Sequence, residues 1–154
     1  MVTGRKRSFA HSVLNETMEK HGWIVTGVPG GAVYTVGLLT VGHPELAIHG
    51  MAASQANSLL QVAAHEVLEN KYEYTVGLHH NVAVGYPAKV IDVHESNFWD
   101  WFGQALDYYE EDLKMRQLVW CDRAGKFPGD PLYDPAFGSQ KLFNVRRPEY
   151  EQIH

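Results

Sequence analysis

The chain has 154 residues, 13 basic and 18 acidic, for a formal net charge of −5, with 45% apolar and 20% charged residues. This globular composition excludes disorder as the dominant state, and a chain of this length buries roughly two-thirds of its extended surface without disulfide staples. The acidic balance excludes the basic face of a nucleic-acid-binding domain, no run approaches the ~18 apolar residues of a membrane span, and the single cysteine, Cys121, cannot form an intrachain disulfide.

In chain order, the basic cluster Arg5-Lys6-Arg7 has no apolar run behind it, so no secretory signal is expected, and the reading is one cytoplasmic domain over residues 1–154. The first helical period starts at about Ser8, a natural N-cap, and sets Phe9, Val13, Thr17 or Met18, and His21 on one side before Gly22 ends it. Trp23–Val28 and Ala32–Leu39 read as strands joined through Pro29-Gly30-Gly31, a tight-turn sequence. Leu46–His49 is a short strand after the His43-Pro44 turn. A second helix starts at Ser54, with Ala56, Leu59, Leu60, Ala63 and Val67 forming a narrow stripe of small residues suited to a sheet. Tyr72, Tyr74, Val76 and Leu78 alternate with Glu73, Thr75 and Gly77, the two-residue period of a half-buried strand. Val82–Tyr86, Lys89–Val93 and Arg116–Cys121 are further strands.

The third helix follows Ser96 and is the most aromatic part of the chain. Phe98, Phe102, Ala105, Leu106, Tyr109 and Leu113 fall in register, and Trp99, Trp101 and Tyr108 flank them. Beyond Gly125 the chain is rich in Gly and Pro, and an ordered, irregular wrap is expected because Phe127, Leu132, Tyr133 and Phe137 call for burial. The sum is an α+β fold: a mostly antiparallel sheet, open or barrel-like, packed by about three helices, with an irregular C-terminal wrap.

Chemistry is harder to place. Nine histidines prompt a test for metal. His65-Glu66 with Glu69 fails the zinc-protease pattern, which needs a second His four residues after the first. At about 100° per residue, His65 and Glu69 fall opposite the apolar stripe, as an exposed pair one turn apart. His43, His49 and His79 stand at strand ends and form the alternative ligand set. The nucleophile elbow, the phosphate loop and the dinucleotide fingerprint are absent. Cys121, beside Trp120, reads as a small buried side chain. Four Trp and eight Tyr exceed what the core requires, and Trp99, Trp101 and Tyr108 are the interface candidates. Tyr34-Thr35-Val36-Gly37-Leu38 recurs as Tyr74-Thr75-Val76-Gly77-Leu78, which reads either as a duplicated helix–hairpin unit or as chance among common strand residues.

His21-Gly22-Trp23, Tyr34 to Leu38, His43-Pro44-Glu45-Leu46 and Gly50 resemble the opening signature of the domain-of-unknown-function family 4262, found in bacteria and phages. Gln117-Leu118-Val119-Trp120, Asp122, Gly125, Phe127-Pro128, Asp130-Pro131, Tyr133 and Gln140 resemble its closing signature, with Gly129 where a tryptophan is expected. The resemblance implies a small soluble bacterial or phage protein and no particular activity. Tyr34, Glu45, His49 and Asp122 are the candidate pocket residues, Glu45 because an acid opening a buried strand is the least structural residue of its motif. The expected function is a non-enzymatic binding or regulatory protein, an accessory acting through a protein partner or as a homodimer, without nucleic acid or membrane. The alternatives are an enzyme binding a flavin or other small ligand in a split-barrel-like sheet, and a His/Glu metal-dependent hydrolase.

Overall fold

The hairpin forms where its turn chemistry puts it. In a computed structural model, which describes residues 22–28, 31–83 and 86–146, β1 (Ile24–Gly27) and β2 (Ala32–Val36) pair antiparallel, with Gly27 opposite Val33. The expected helix over 8–21 and the turn residues Pro29 and Gly30 lie outside the described residues. β2 continues antiparallel to β3 (Glu45–His49), and α1 (Ala53–Asn70) follows. β4 (Gly77–Ala83), β5 (Tyr86–Asp92) and β6 (Met115–Trp120) form a second antiparallel set, and β3 and β6 join the two sets as the one parallel pair. The order β1-β2-β3-β6-β5-β4 is an open six-stranded sheet, not a barrel, which removes the basis of the split-barrel analogy.

Three expectations shift. The alternating stretch from Tyr72 is not a strand until Gly77: Tyr74 is buried beneath α1 and residues 71–75 have no regular structure. Tyr34, Thr35 and Val36 instead lie inside β2, so the repeated segments occupy non-equivalent positions and the duplication reading fails. The aromatic helix is broken. A 3-10 turn (Glu95–Asn97) leads into α2 (Phe98–Trp101), and Phe102, with φ −131° and ψ 42°, separates it from α3 (Gly103–Tyr109). The break lets Phe102 turn fully inward, where burying an aromatic ring is worth roughly 2–3 kcal/mol.

The sheet carries a core on each face. On one, α1 sets Ala56, Leu60, Ala63, Ala64 and Val67 against Val33, Leu46, Ile48, Val90 and Leu118, and its alanines allow close approach. On the other, Tyr34, Val36, Ala47 and Met115 meet Phe102, Ala105 and Phe143. The C-terminal wrap is ordered by two glutamine amides. Gln117 Nε2 donates to Lys141 O and Gln117 Oε1 accepts from Phe143 N, while Gln140 brackets the Trp120 backbone in the same way. Of the wrap's apolar residues, Leu132 is exposed, and Phe127, Tyr133 and Phe137 are half-buried. No described helix is long and apolar enough to cross a membrane.

Candidate functional site

Glu45 opens β3, where alternation turns its side chain inward to the end of β2. The chain leaves β2 at Gly37, whose φ of +130° favours glycine and where a Cβ would lie 2.5 Å from Gly22 O. A 3-10 turn over Leu38–Val41 follows, closed by Gly42 in the left-handed conformation, so Gly42 serves the cap and not a close approach. The turn's first N–H groups converge on the carboxylate. Glu45 Oε2 accepts from Gly37 N (2.9 Å), Leu39 N (3.1 Å) and Tyr109 Oη (2.7 Å), and Oε1 accepts from Thr35 Oγ1 (2.6 Å) and Leu38 N (3.2 Å). Burial pushes the carboxyl upward, against the pull of Thr35, Tyr109 and the backbone donors. Burial and the adjacent Glu45 push the Tyr109 hydroxyl far up, so its proton stays in place. Five donors from the fold itself hold Glu45, which organises backbone at this position.

The other expected residues do not gather around it. Tyr34 lies in the second core, edge-on to Phe102, and its hydroxyl accepts from Gln104 N. His43 bridges two segments: Nδ1 donates to Pro44 O, Nε2 accepts from Tyr74 N, and burial lowers its pKa, so the ring is neutral. His79 donates from Nε2 to Thr75 O and accepts from Tyr72 Oη at Nδ1, beside Tyr74. His49, at the far end of β3 from His43, accepts from Lys141 N and packs edge-on to Trp101 and Phe143. His43 and His79 therefore flank Tyr74 with both ring nitrogens engaged, and His49 is elsewhere; among the described residues no three His, Cys, Asp or Glu side chains form a metal-holding group. His65 and Glu69 are the expected exposed pair, at 3.0 Å.

Asp122 follows β6. Its Oδ1 accepts from Ala124 N and Lys126 N, its Oδ2 from Asp134 N, all at 2.9 Å. The Lys126 N–H, with those of Asp134 and Ala124, holds the carboxyl below the usual aspartate value. This ties the end of β6 to the C-terminal wrap and fixes one wall of a concavity.

That concavity is a groove of about 940 Å³. It lies between the N-terminal half of α1 and the β5–β6 part of the sheet, with the turn at Phe137 as its end wall. α1 is too narrow to cover this part of its face. Leu59 and Val62, on the flank of the buried stripe, form one side; Val82, Ala88 and Leu118 form the floor; Trp120 is half-buried in the wall. Among the described residues, Asp122 and Arg123 are the only acid and the only base that line it. The Asp122 carboxylate is engaged by backbone, whereas Arg123 is exposed, makes no ion pair with a described residue, and stacks over the Phe137 ring at 5.8 Å. Cys121 is buried, and burial pushes its thiol up, away from the reactive thiolate.

Of the four candidate pocket residues, only Asp122 lines the groove. Arg123, Phe137 and Val62, which also line the groove, are not among the candidate pocket residues read from the sequence. The available signal was Val62, an apolar residue on α1 outside the stripe; Arg123 and Phe137 converge only through the wrap. Of the aromatic trio, Trp99 is 79% exposed, Trp101 is half-buried between His49 and Phe143 with Lys141 over its ring, and Tyr108 packs half-buried on Tyr109.

Fold and groove define an α+β protein with an open sheet and a one-sided apolar cleft. The chain matches a family model described as Domain of unknown function (DUF4262) over residues 17–134, and it belongs to that family. No curated protein and no solved structure matches it.

Proposed function

We propose that the protein is a non-enzymatic binding protein, and that its binding site is the groove between α1 and β5–β6. The single observation that carries this reading is an apolar concavity of about 940 Å³ that the described residues leave open on an otherwise packed sheet face, within the size range of small-ligand sites. The polar groups around it favour binding over chemistry: Asp122 is committed to three backbone N–H groups and the Cys121 thiol is held protonated. Nile red, an uncharged apolar dye, is expected to brighten on the folded protein. Ser58→Trp, an exposed position on the groove wall, should abolish the signal while circular dichroism is unchanged. Dye emission that Ser58→Trp leaves untouched sinks the reading.

Trp99 supports a second reading, a protein contact between two copies or with a partner, because a Trp exposed to 79% is the kind of anchor that interfaces bury. Light scattering on the wild type and Trp99→Ala tests it. A dimer that becomes a monomer supports the contact between copies, and a monomer in both cases removes it.

A further inference from the structure

We propose that the groove takes a single-chain amphiphile with an anionic head, a medium-chain aliphatic carboxylate, with the carboxylate at Arg123 and the chain along α1. This inference rests on the groove being the binding site and adds what fills it. The lining is mostly apolar, with uncharged Ser54, Gln55 and Ser58 along the α1 wall and its charged side chains adjacent at Asp122 and Arg123, so a ligand that matches it is itself mostly apolar with one charged terminus. The sign of that terminus follows from the two charges at the end wall. Asp122 Oδ1 and Oδ2 already accept three backbone N–H bonds, so this carboxylate has little left to offer a cation. Arg123 has no carboxylate partner among the described residues and rests on Phe137, which leaves the guanidinium edge open to a planar, two-oxygen acceptor. The ring beneath limits the positions the guanidinium explores, so less side-chain freedom is lost on binding.

Isothermal titration of the full chain with octanoate and with octanol separates the parts of the argument. The wild type is expected to bind both, octanoate about tenfold more tightly, the size of one charge-assisted contact. Arg123→Gln should bring octanoate down to the level of octanol and leave octanol unchanged. Ser58→Trp should remove both, and because Ser58 is exposed the variant folds. If Arg123→Gln leaves octanoate binding intact while Ser58→Trp abolishes it, the groove stands as the site and the anionic head is wrong. If the wild type binds neither probe, or if Ser58→Trp changes neither, the groove reading falls with it.

Discussion

The two faces of the sheet are built from the same kinds of residue and end differently. On the α2–α3 face a broken helix and the C-terminal wrap close over the strands, so that Phe102 and Phe143 are fully buried and the neighbouring Glu45 is saturated with donors. On the α1 face, among the described residues, one helix packs on the sheet and covers part of it. Its small-residue stripe brings it close to the strands, and the same narrowness leaves Leu59 and Val62 facing an open groove. A helix about 10 Å across cannot cover six strands spaced by nearly 5 Å. Irregular chain can be shaped to seal a face, whereas one regular helix leaves a concavity beside it.

The sharpest test of this contrast is Phe143→Ala, which opens a cavity against His49, Trp101 and Phe102. It should lower the unfolding free energy by about 3–5 kcal/mol, read from the denaturant midpoint at constant m-value. Glu45→Gln is next, at about 3 kcal/mol, because the amide N–H₂ meets donors where the carboxylate met only N–H and O–H groups. Tyr109→Phe removes one of the five donors and should cost about 1 kcal/mol. If the two Glu45-site variants are nearly neutral, the carboxylate is not the organiser that its geometry makes it.

The pH profile follows from the buried histidines. Burial lowers His43 and His49 below 6.5, so below that pH the unfolded chain takes up protons that the folded one does not. Their contribution to stability is complete above pH 6.5 and is lost as pH falls. Glu45 acts in the opposite sense: raised above 4.5 in the folded state, it adds stability as pH falls through its folded value. Asp122, lowered from 3.8, is lost only in stronger acid. The unfolding midpoint should therefore fall between pH 7.5 and 5.5, and fall less in His43→Gln. An equal drop in both proteins assigns the loss to other groups.

The smallest effect belongs to the groove. Val62→Ser, at a position already 48% exposed, should change stability by no more than about 0.5 kcal/mol while weakening Nile red binding. A loss as large as that of Phe143→Ala would mean that the groove face is as tightly sealed as its opposite.

The strands β1, β2, β3 and β6 were legible in the sequence because alternation, turn residues and the β-branched content agree there, and α1 was legible from its stripe. The exposed His65–Glu69 pair follows from helical spacing alone. Alternation from Tyr72 misled because one buried aromatic, Tyr74, held by the His43 ring and by Arg116 at its carbonyl, can fix a segment without a ladder. The same limit applies to the candidate site. A buried acid such as Glu45 reads as chemistry until the donors that reach it from Thr35, from the Gly37 turn and from Tyr109, 64 residues away, are known.

The sequence by itself determined a globular, acidic α+β chain, its family, most of its strands and its central helix, because these depend on composition and on periods within a few residues. Only the tertiary structure decided that the sheet stays open, that Glu45 is spent on its own backbone, and that Leu59, Trp120, Arg123 and Phe137 border one groove. Those outcomes depend on contacts between residues far apart in the chain, which no local period encodes.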